Sequence, residues 1–288
     1  MSFWKILRVL TTDKCNYNCI YCHNEGQTGK NITKDMTLNE FIDVVTNLED
    51  SGIEEIRFSG GEPLVNKQTI DMIEWADKNT KYEIGLATNG SLFTEDIALR
   101  LSNTRVLVTL HFPGADKLSY KGVTGMEYSN FEKCVALLDK YNISYSFNNV
   151  LHPNVINNLE AVLSYSKIKQ KRIKLLPYIE KESSNLSSSI ILKLTEDLNK
   201  KYEKSYDNQS GLTKWGSTSG FTVKLIESPC YERNVEKCKY YGEIRFLSGL
   251  RFQPCIFSKY ETVDHSSNVY KKLLELWENF NKCYGYEN

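Results

Sequence analysis

Short apolar runs alternate with longer segments of helical periodicity along most of the chain. The apolar runs predict six strands, at Ile6–Thr11, Glu55–Ser59, Tyr82–Ala87, Arg105–Phe112, Ile143–Val150 and Arg172–Leu176. Apolar residues at helical spacing predict six helices, at Leu38–Leu48, Thr69–Lys78, Asp96–Leu101, Phe131–Tyr141, Val155–Ser166 and Thr195–Lys204. Strands and helices that alternate in this way form a parallel sheet with right-handed crossovers. The predicted fold class is therefore α/β.

The last third of the chain has a different character. Lys181–Ser189 is polar and serine-rich, and Asn208–Ser219 is rich in glycine and serine, so both segments are predicted to be loops. Short predicted strands and loops follow, and a helix at Val269–Phe280 with one apolar face closes the chain. We therefore expect a core at residues 1–180, a connecting helix and loops at 181–219, and a smaller cysteine-containing domain at 220–288.

Composition and charge exclude several classes of protein. The 36 basic and 36 acidic residues give a formal net charge of zero, so no bulk field attracts nucleic acid or an anionic membrane. No segment is long and apolar enough to span a bilayer, and the N-terminus lacks the apolar core of a signal peptide. We expect a cytoplasmic protein without nucleic-acid or membrane partners. Because the chain begins directly with a predicted strand, we also expect no leader-peptide-binding domain ahead of it, which favours a small substrate or a short peptide.

The eight cysteines carry the first chemical signal, because in a cytoplasmic protein they are more often ligands than disulfides. Cys15, Cys19 and Cys22 follow the first predicted strand with the spacing C-x3-C-x2-C. Three thiolates can hold an iron–sulfur cube and leave its fourth iron open for chemistry. A zinc site completed by His23, or a centre for simple electron transfer, is the alternative. Cys134 lies within a helical pattern and is expected to be a buried, inert thiol.

Two further motifs follow the next two predicted strands. Ser59-Gly60-Gly61-Glu62-Pro63 comes after the second strand, and Ala87-Thr88-Asn89-Gly90 ends the third. Ligands of parallel α/β sheets gather at the carboxyl ends of the strands. The cysteine triplet and both motifs are therefore expected on one rim of the sheet. Glycine at positions 60 and 61 would let the backbone approach a cofactor closely and adopt a positive φ.

These three motifs resemble those of the radical S-adenosylmethionine (SAM) enzymes, with similarity from about Ile6 to about Phe257. The resemblance implies a partial (β/α)6 TIM-like barrel and a [4Fe–4S] cluster that cleaves SAM reductively to a 5′-deoxyadenosyl radical, which abstracts hydrogen from the substrate. It also implies a reductant such as flavodoxin or ferredoxin. It implies that SAM contacts Tyr21, Ser59, Gly60, Gly61, Glu62, Thr88, Asn89 and Thr109.

A second cysteine group, Cys230, Cys238 and Cys255, is similar to the trio that holds an auxiliary cluster in one branch of this family, the GTP 3′,8-cyclases of molybdenum cofactor biosynthesis. The resemblance implies a second iron–sulfur cluster, with zinc or free thiols as the alternative. Cys283, close to the end, is either a fourth ligand of this group or a free thiol.

The substrate side departs from that branch. Arg8 and Arg245 match cyclase arginines, but Glu243 stands where the cyclases have a second arginine of an Arg-x-Arg pair. We expect Arg8, Lys174 and Arg245 to bind substrate, and His111, at the end of the fourth strand, to donate or accept a proton. Asn148 and Asn149 are also candidates to line the barrel. The sequence therefore predicts a radical SAM enzyme acting on a small molecule or nucleotide; peptide modification is the alternative, and a non-catalytic metal or redox module a remote one.

Overall fold

The computed structural model describes residues 3–22, 34–178, 184–207, 212–216, 220–226 and 234–284, without the side chains of 184–189, 206–207 and 212. Within these ranges all strands belong to one sheet of twelve. Its centre is the series of six parallel strands that the sequence predicts. They are β1 (Ile6–Leu10), β2 (Glu55–Ser59), β3 (Glu83–Thr88), β4 (Leu107–His111), β5 (Tyr145–Leu151) and β6 (Ile173–Pro177). Each pairs in parallel with the next in chain order.

The later strands extend this sheet at both sides. They are β7 (Glu203–Asp207), β8 (Leu212–Gly216), β9 (Thr222–Leu225), β10 (Glu243–Leu247), β11 (Arg251–Gln253) and β12 (Glu261–Thr262). On one side β9 pairs in parallel with β6 and continues into the antiparallel pair β8 and β7. On the other side β10 pairs in parallel with β1, and β11 and β12 follow it antiparallel. The strands from the last fifty residues thus lie beside the first strand of the chain.

Within the described residues, seven helices connect the six central parallel strands, and three more follow later in the chain. They are α1 (Leu38–Thr46), α2 (Thr69–Asn79), α3 (Glu95–Leu101), α4 (Lys117–Thr124), α5 (Ser129–Lys140), α6 (Pro153–Ile156), α7 (Leu159–Ile168), α8 (Ser184–Lys201), α9 (Val235–Tyr241) and α10 (Val269–Asn279). Single 3-10 turns occupy Pro63–Val65 and Ser266–Asn268. No helix in the described part of the chain is long and apolar enough to cross a membrane.

Three sequence predictions about these elements are wrong. The serine-rich segment begins α8 at Ser184, because apolar residues further along that helix pack against the core, as Leu194 and Leu198 do. The same helix ends at Lys201, and Lys204 lies in β7. Leu212–Gly216, predicted as a loop, is a strand because Trp215 is buried and the segment pairs with both neighbours.

The strands divide their side chains between two environments, as alternation requires. On β1, Leu7 and Val9 are buried among the core residues under the helices, whereas Arg8 faces the concave side of the sheet. Phe112, just after β4, stacks on Phe131 of α5 with ring centroids 4.5 Å apart. Apolar packing therefore fills the space under the helices, and the concave side, called the lumen below, is left for polar and charged groups.

Candidate functional site

The cysteine loop, residues 13–22, follows β1 at the carboxyl-end rim of the sheet. Cys15 and Cys19 are partly buried and Cys22 is exposed. The backbone N–H of Ile20 donates to Val123 O on α4 at 3.1 Å, and the N–H of Cys22 donates to Cys19 O at 3.0 Å. The loop is thus fixed to α4 at Ile20 and turns back on itself between Cys19 and Cys22, and its three thiols lie close enough to influence one another's charge.

The thiols of this loop favour the protonated form. Burial, together with the neighbouring thiols, raises the pKa of Cys19 to about 12 and that of Cys22 to about 11. A metal supplies the positive charge that deprotonates such thiols. Among the described residues no three His, Cys, Asp or Glu side chains surround a single-ion site. A cubane cluster binds each cysteine through a different iron, so the mutual proximity of three soft thiolates fits it better than a single zinc ion. His23, the possible zinc ligand, lies outside the described residues.

Gly60 and Gly61 bring the second motif against the cysteine loop. The N–H of Gly61 donates to Thr12 O at 2.9 Å, and the N–H of Glu62 donates to Lys14 O at 2.8 Å. Gly60 has φ +137°, and a Cβ there would lie 2.3 Å from Thr12 O. A Cβ on Gly61 would lie 2.2 Å from Lys14 O. The positive φ is confirmed at Gly60, and the close approach that excludes a side chain is to the backbone of the cysteine loop.

Glu62 joins this segment to the third motif. Its buried carboxylate accepts hydrogen bonds from Thr88 Oγ1 at 2.7 Å, from the N–H of Asn89 at 2.7 Å and from the N–H of Leu64 at 3.1 Å. Burial raises the pKa of Glu62 to about 7, although these donors favour the charged form. The carboxylate is 1% exposed within the rim. Contact with a cofactor through this side chain stays a prediction.

Asn89 links the third motif to the cysteine loop. Its Nδ2 donates to Asn16 Oδ1 at 3.0 Å, and Asn16 Nδ2 donates to Ser91 Oγ at 2.8 Å. Gly90, with φ +77°, packs so closely on the fully buried Cys134 that a Cβ would lie 2.9 Å from its sulfur. Cys134 is therefore the buried thiol that the sequence predicts. The three motifs form one hydrogen-bonded rim.

The remaining predicted cofactor and catalytic residues lie on the lumen side of this rim. Tyr21 Oη and His111 Nε2 are 2.8 Å apart, and burial lowers the pKa of His111 to about 4, so its ring is neutral at pH 7. Thr109 Oγ1 lies 3.2 Å from Ser146 Oγ across β4 and β5. Ser59 Oγ accepts from Arg8 Nη1 at 3.4 Å. A proton-transfer role for His111 stays a prediction, as does SAM contact by the others.

Two carboxylates and two guanidinium groups form a charged lattice in the lumen below this rim. Glu243 accepts from Arg8 Nε at 2.7 Å and from Arg8 Nη2 at 2.8 Å. Glu55 accepts from Arg57 Nε at 2.9 Å and Nη2 at 2.6 Å, and Arg57 Nη1 also reaches Glu243 at 3.3 Å. Arg57 Nη1 donates to Tyr241 Oη at 2.8 Å. Sequence reasoning missed Glu55 and Arg57, although their alternation with Ile56 and Phe58 on β2 was a usable signal.

Lys174 and Arg245 lie on the same concave side. Arg245 is the cross-strand partner of Arg8, and Lys174 that of Asn148. Burial and the charge of Arg57 lower the pKa of Lys174 to about 7; burial and the charge of Arg8 lower that of Arg245 to about 9. The structure thus brings the three predicted substrate residues together in one electropositive lumen.

Of the two asparagines predicted to line the barrel, only Asn148 occupies a lumen position. It is the cross-strand partner of His111 as well as of Lys174. Asn149 points the opposite way, and its Nδ2 donates to Phe112 O at 2.8 Å. The strand alternation that places Asn148 in the lumen places its neighbour under the helices.

The second cysteine group lies at the β10 side of the sheet. Cys255 follows β11, and burial raises its pKa; the Cys283 thiol raises it further, and the Arg245 charge opposes both. Cys238 lies on α9 and is partly buried. Cys230 lies outside the described residues. Cys283 is thus near enough to Cys255 to influence its charge, which favours the reading of Cys283 as a ligand over that of a remote thiol.

Comparison with known proteins identifies the family to which the chain belongs. A profile described as the Radical SAM superfamily matches residues 9–165, more than half of the chain. The chain is 28% identical to a probable GTP 3′,8-cyclase of Methanococcus aeolicus over 97% of this chain and 93% of the relative. It is 42% identical to a GTP 3′,8-cyclase of Desulforamulus reducens over 91 residues, 31% of this chain and 28% of the relative.

Two solved structures are similar along almost the whole chain. Streptococcus suis SuiB bound to S-adenosylmethionine matches with TM-score 0.73 at 13% identity, over 99% of this chain and 67% of that one. The protein anSMEcpe with bound AdoMet matches with TM-score 0.66 at 18% identity, over 97% of this chain and 81% of that one. Identities this low establish the fold alone, a partial TIM-like barrel, and so confirm the predicted fold class.

The matched profile runs from β1 to α7 and includes every residue of the rim, from the cysteine triplet through the Gly-Gly-Glu segment to the Thr-Asn-Gly segment. The rim and the profile thus agree on the same part of the molecule, and the chain belongs to the radical SAM superfamily of enzymes.

Proposed function

We propose that this enzyme holds a [4Fe–4S] cluster on Cys15, Cys19 and Cys22, cleaves SAM reductively and abstracts hydrogen from an anionic small molecule in the lumen. The single observation that carries the proposal is the hydrogen-bonded rim. It fixes the cysteine loop, the Gly-Gly-Glu segment and the Thr-Asn-Gly segment to one another above an electropositive lumen. When bound, the cluster would supply the electron that splits SAM into methionine and a 5′-deoxyadenosyl radical, and a flavodoxin or ferredoxin would reduce the cluster.

The residues of the rim would position the reaction. Glu62 holds Thr88 and the backbone of Asn89 in place, so the exposed atoms of both motif loops are fixed before a ligand binds. The hydroxyl of Tyr21 lies within hydrogen-bond distance of His111 at the end of β4. This contact fixes the aromatic ring of Tyr21 beside the cysteines. A neutral His111 can accept or donate one hydrogen bond through its second ring nitrogen. Such preorganisation orients a cofactor without reordering the site.

An anionic substrate is supported by the charges in the lumen. Arg8, Arg57, Lys174 and Arg245 are four cations against the two carboxylates Glu55 and Glu243. A lumen lined by several basic side chains favours a substrate that brings negative charge. The cyclase relatives, named for GTP, are consistent with a nucleotide substrate.

An auxiliary cluster on Cys230, Cys238, Cys255 and Cys283 is the second part of the proposal. The electrostatic interaction between Cys255 and Cys283 supports this cluster, because the thiols of one ligand set must lie near one another. Arg245, which interacts with Cys255 as well as with Arg8, would join this cluster to the lumen. With four thiolates the cluster would be closed and would serve structure or electron transfer.

SAM cleavage tests the proposal. The protein is reconstituted anaerobically with iron and sulfide, reduced with dithionite and supplied with SAM, and 5′-deoxyadenosine is measured by chromatography. We expect 5′-deoxyadenosine from the native protein and none after Cys15, Cys19 and Cys22 are all changed to Ala. Cys134→Ala is the matched control, because that cysteine lies on α5 and belongs to neither cysteine group. A native protein that binds iron at the triplet but releases no 5′-deoxyadenosine would leave the non-catalytic redox module as the better account.

Peptide modification is the second candidate. Glu243 favours it over triphosphate chemistry, because this carboxylate already occupies the two guanidinium groups that would bind phosphates. Adding GTP to the reduced, SAM-loaded enzyme separates the candidates. Conversion of GTP supports the nucleotide reading, whereas an unchanged nucleotide alongside continued 5′-deoxyadenosine release supports a different substrate, a peptide carboxylate included.

A further inference from the structure

We propose that Asn148 is a specificity-determining residue of the lumen, whose side-chain amide pairs with a substrate group that carries an N–H beside a C=O, a lactam or a primary carboxamide. This inference rests on the proposed function and narrows its substrate class. It does not depend on the charge of the substrate, because a carboxamide recognises donors and acceptors and carries no charge of its own.

Asn148 stands between the cysteine loop and the charged lattice. Its cross-strand neighbour on β4 is His111, whose Nε2 lies 2.8 Å from Tyr21 Oη beside the cysteines. Its cross-strand neighbour on β6 is Lys174, which interacts electrostatically with Glu243 of the lattice. A substrate that extends from the charged lattice toward the rim would therefore pass Asn148.

The side-chain oxygen of Asn148 is an unused acceptor. This Oδ1 is buried and has no hydrogen-bond partner among the residues that the structure describes. The polar groups beside it are engaged with one another, since Thr109 Oγ1 lies 3.2 Å from Ser146 Oγ and His111 Nε2 lies 2.8 Å from Tyr21 Oη. A buried acceptor without a partner is costly, so a ligand that donates to Oδ1 gains affinity.

The neighbouring asparagine shows why access to the lumen matters. Asn149 Oδ1 is also buried without a partner in the described part of the chain, but Asn149 is fully buried and its Nδ2 donates to Phe112 O at 2.8 Å. Asn148 is instead partly exposed on the lumen side. The last side-chain torsion of asparagine has broad preferences, so the amide of Asn148 can turn Oδ1 toward a bound ligand without losing a hydrogen bond of that oxygen. A ligand can thus satisfy Asn148 but not Asn149.

The chemistry of a carboxamide selects the matching group. It presents an acceptor next to donors, and it forms two parallel hydrogen bonds with a group whose N–H and C=O share one edge. Asparagine and glutamine read adenine through such paired bonds. A trans peptide bond directs its N–H and C=O to opposite sides and does not present this edge. The lactam of a nucleobase and the primary carboxamide of a peptide side chain both present it.

Matched pairs of ligands test this recognition. Inosine and 1-methylinosine differ in the lactam N–H, and N-acetylglutamine and its side-chain N,N-dimethylamide differ in the carboxamide N–H. Dissociation constants are measured by titration calorimetry on the reconstituted full chain. In at least one pair we expect the N–H ligand to bind about tenfold or more tightly than its methylated partner, because the methylated ligand leaves Oδ1 unpaired. In Asn148→Leu, which has similar size but no amide, this ratio should fall to about twofold or less.

Asn157→Leu is the matched control and should keep the native ratio, because Asn157 is exposed between α6 and α7. A native protein that binds neither N–H ligand at millimolar concentration, or that binds both members of each pair equally, overturns the inference. A folded Asn148→Leu protein that keeps the native ratio also overturns it. Should Asn148→Leu fail to fold, Asn148→Ala provides the same test without the added branched side chain.

The two pairs also distinguish the source of the amide group. A ratio confined to the inosine pair indicates a nucleobase, one confined to the glutamine pair indicates a peptide side chain, and a ratio in both supports recognition of the shared edge. SAM cleavage by the native protein tests the proposed function separately. A protein that releases 5′-deoxyadenosine but shows no ratio in either pair contradicts the role of Asn148 alone.

Discussion

Replacing Gly61 with alanine should separate the Gly-Gly-Glu segment from the cysteine loop. The new Cβ would lie 2.2 Å from Lys14 O, a separation that real contacts do not show, and the neighbouring atom is backbone and not a flexible side-chain end. Relief requires a shift of about 1 Å between the two segments, since interiors are close-packed. That shift breaks the hydrogen bonds from the Gly61 N–H to Thr12 O and from the Glu62 N–H to Lys14 O, now 2.9 and 2.8 Å long.

The magnitude follows from those two bonds. A buried donor or acceptor that loses its partner costs about 1–3 kcal/mol, so Gly61→Ala should lower the free energy of unfolding by roughly 2–5 kcal/mol. This is a large part of the total stability typical of a domain, about 5–15 kcal/mol. Because the displaced segment is the one that carries Cys15, the variant should also take up less iron on reconstitution.

Urea denaturation of the metal-free protein measures the first effect, and iron content after anaerobic reconstitution measures the second. Gly122→Ala is the control, because Gly122 lies on an exposed face of α4 and a Cβ there meets no atom within 4 Å. That control should stabilise the protein by about 0.5–1 kcal/mol, as alanine does in helices. A Gly61→Ala protein whose free energy of unfolding lies within about 0.5 kcal/mol of the native value, and which binds iron normally, would refute the close contact between Gly61 and Lys14.

Further predictions concern buried polar groups. Glu62→Gln places an amide N–H₂ either against the N–H of Asn89 or against both Thr88 Oγ1 and the N–H of Leu64, so urea denaturation should record a loss of about 1–3 kcal/mol; an unchanged unfolding free energy would contradict the role of these hydrogen bonds. Lys174 has a lowered pKa, so the unfolded state binds more protons between pH 7 and 10, and native stability should rise over that range; Lys174→Met should abolish this rise, and a variant with the native pH profile would disprove the assignment. Tyr21→Phe should reduce SAM affinity measured by equilibrium dialysis, because the ring loses its fixed orientation, and equal affinity would argue against that role.

The parallel core of the fold could be predicted from the sequence because its signals are local. The apolar runs of β1 to β6 are short and bounded by polar segments, and each motif follows its own strand, so the shared rim follows from the rule for parallel sheets. The helix α4 was missed, although Asp116 caps its first turn and Gly125 ends it in the left-handed conformation. Its short, polar sequence has too few apolar positions to reveal a period.

The charged lattice could not be predicted, because it depends on register between distant segments. Arg8 and Glu243 are 235 residues apart and meet only because β10 pairs with β1 in one particular register. A shift of one residue would turn Glu243 away from the lumen. The sequence predicts that Arg8 binds substrate, but the ion pair that Arg8 makes with Glu243 is a property of the assembled sheet. Likewise, the interaction between Cys255 and Cys283 follows from tertiary packing and not from spacing.

The pairing of β1 with β10 constrains how the protein can be made. During synthesis β1 leaves the ribosome long before the strand that completes its other edge, since the paired residues Arg8 and Glu243 are 235 residues apart. Until then the edge of β1 is open, and contacts between segments so far apart in sequence form slowly. Cluster assembly on the adjoining loop is therefore expected to follow release of the finished polypeptide, and truncated or stalled chains would expose an aggregation-prone strand beside reactive thiols.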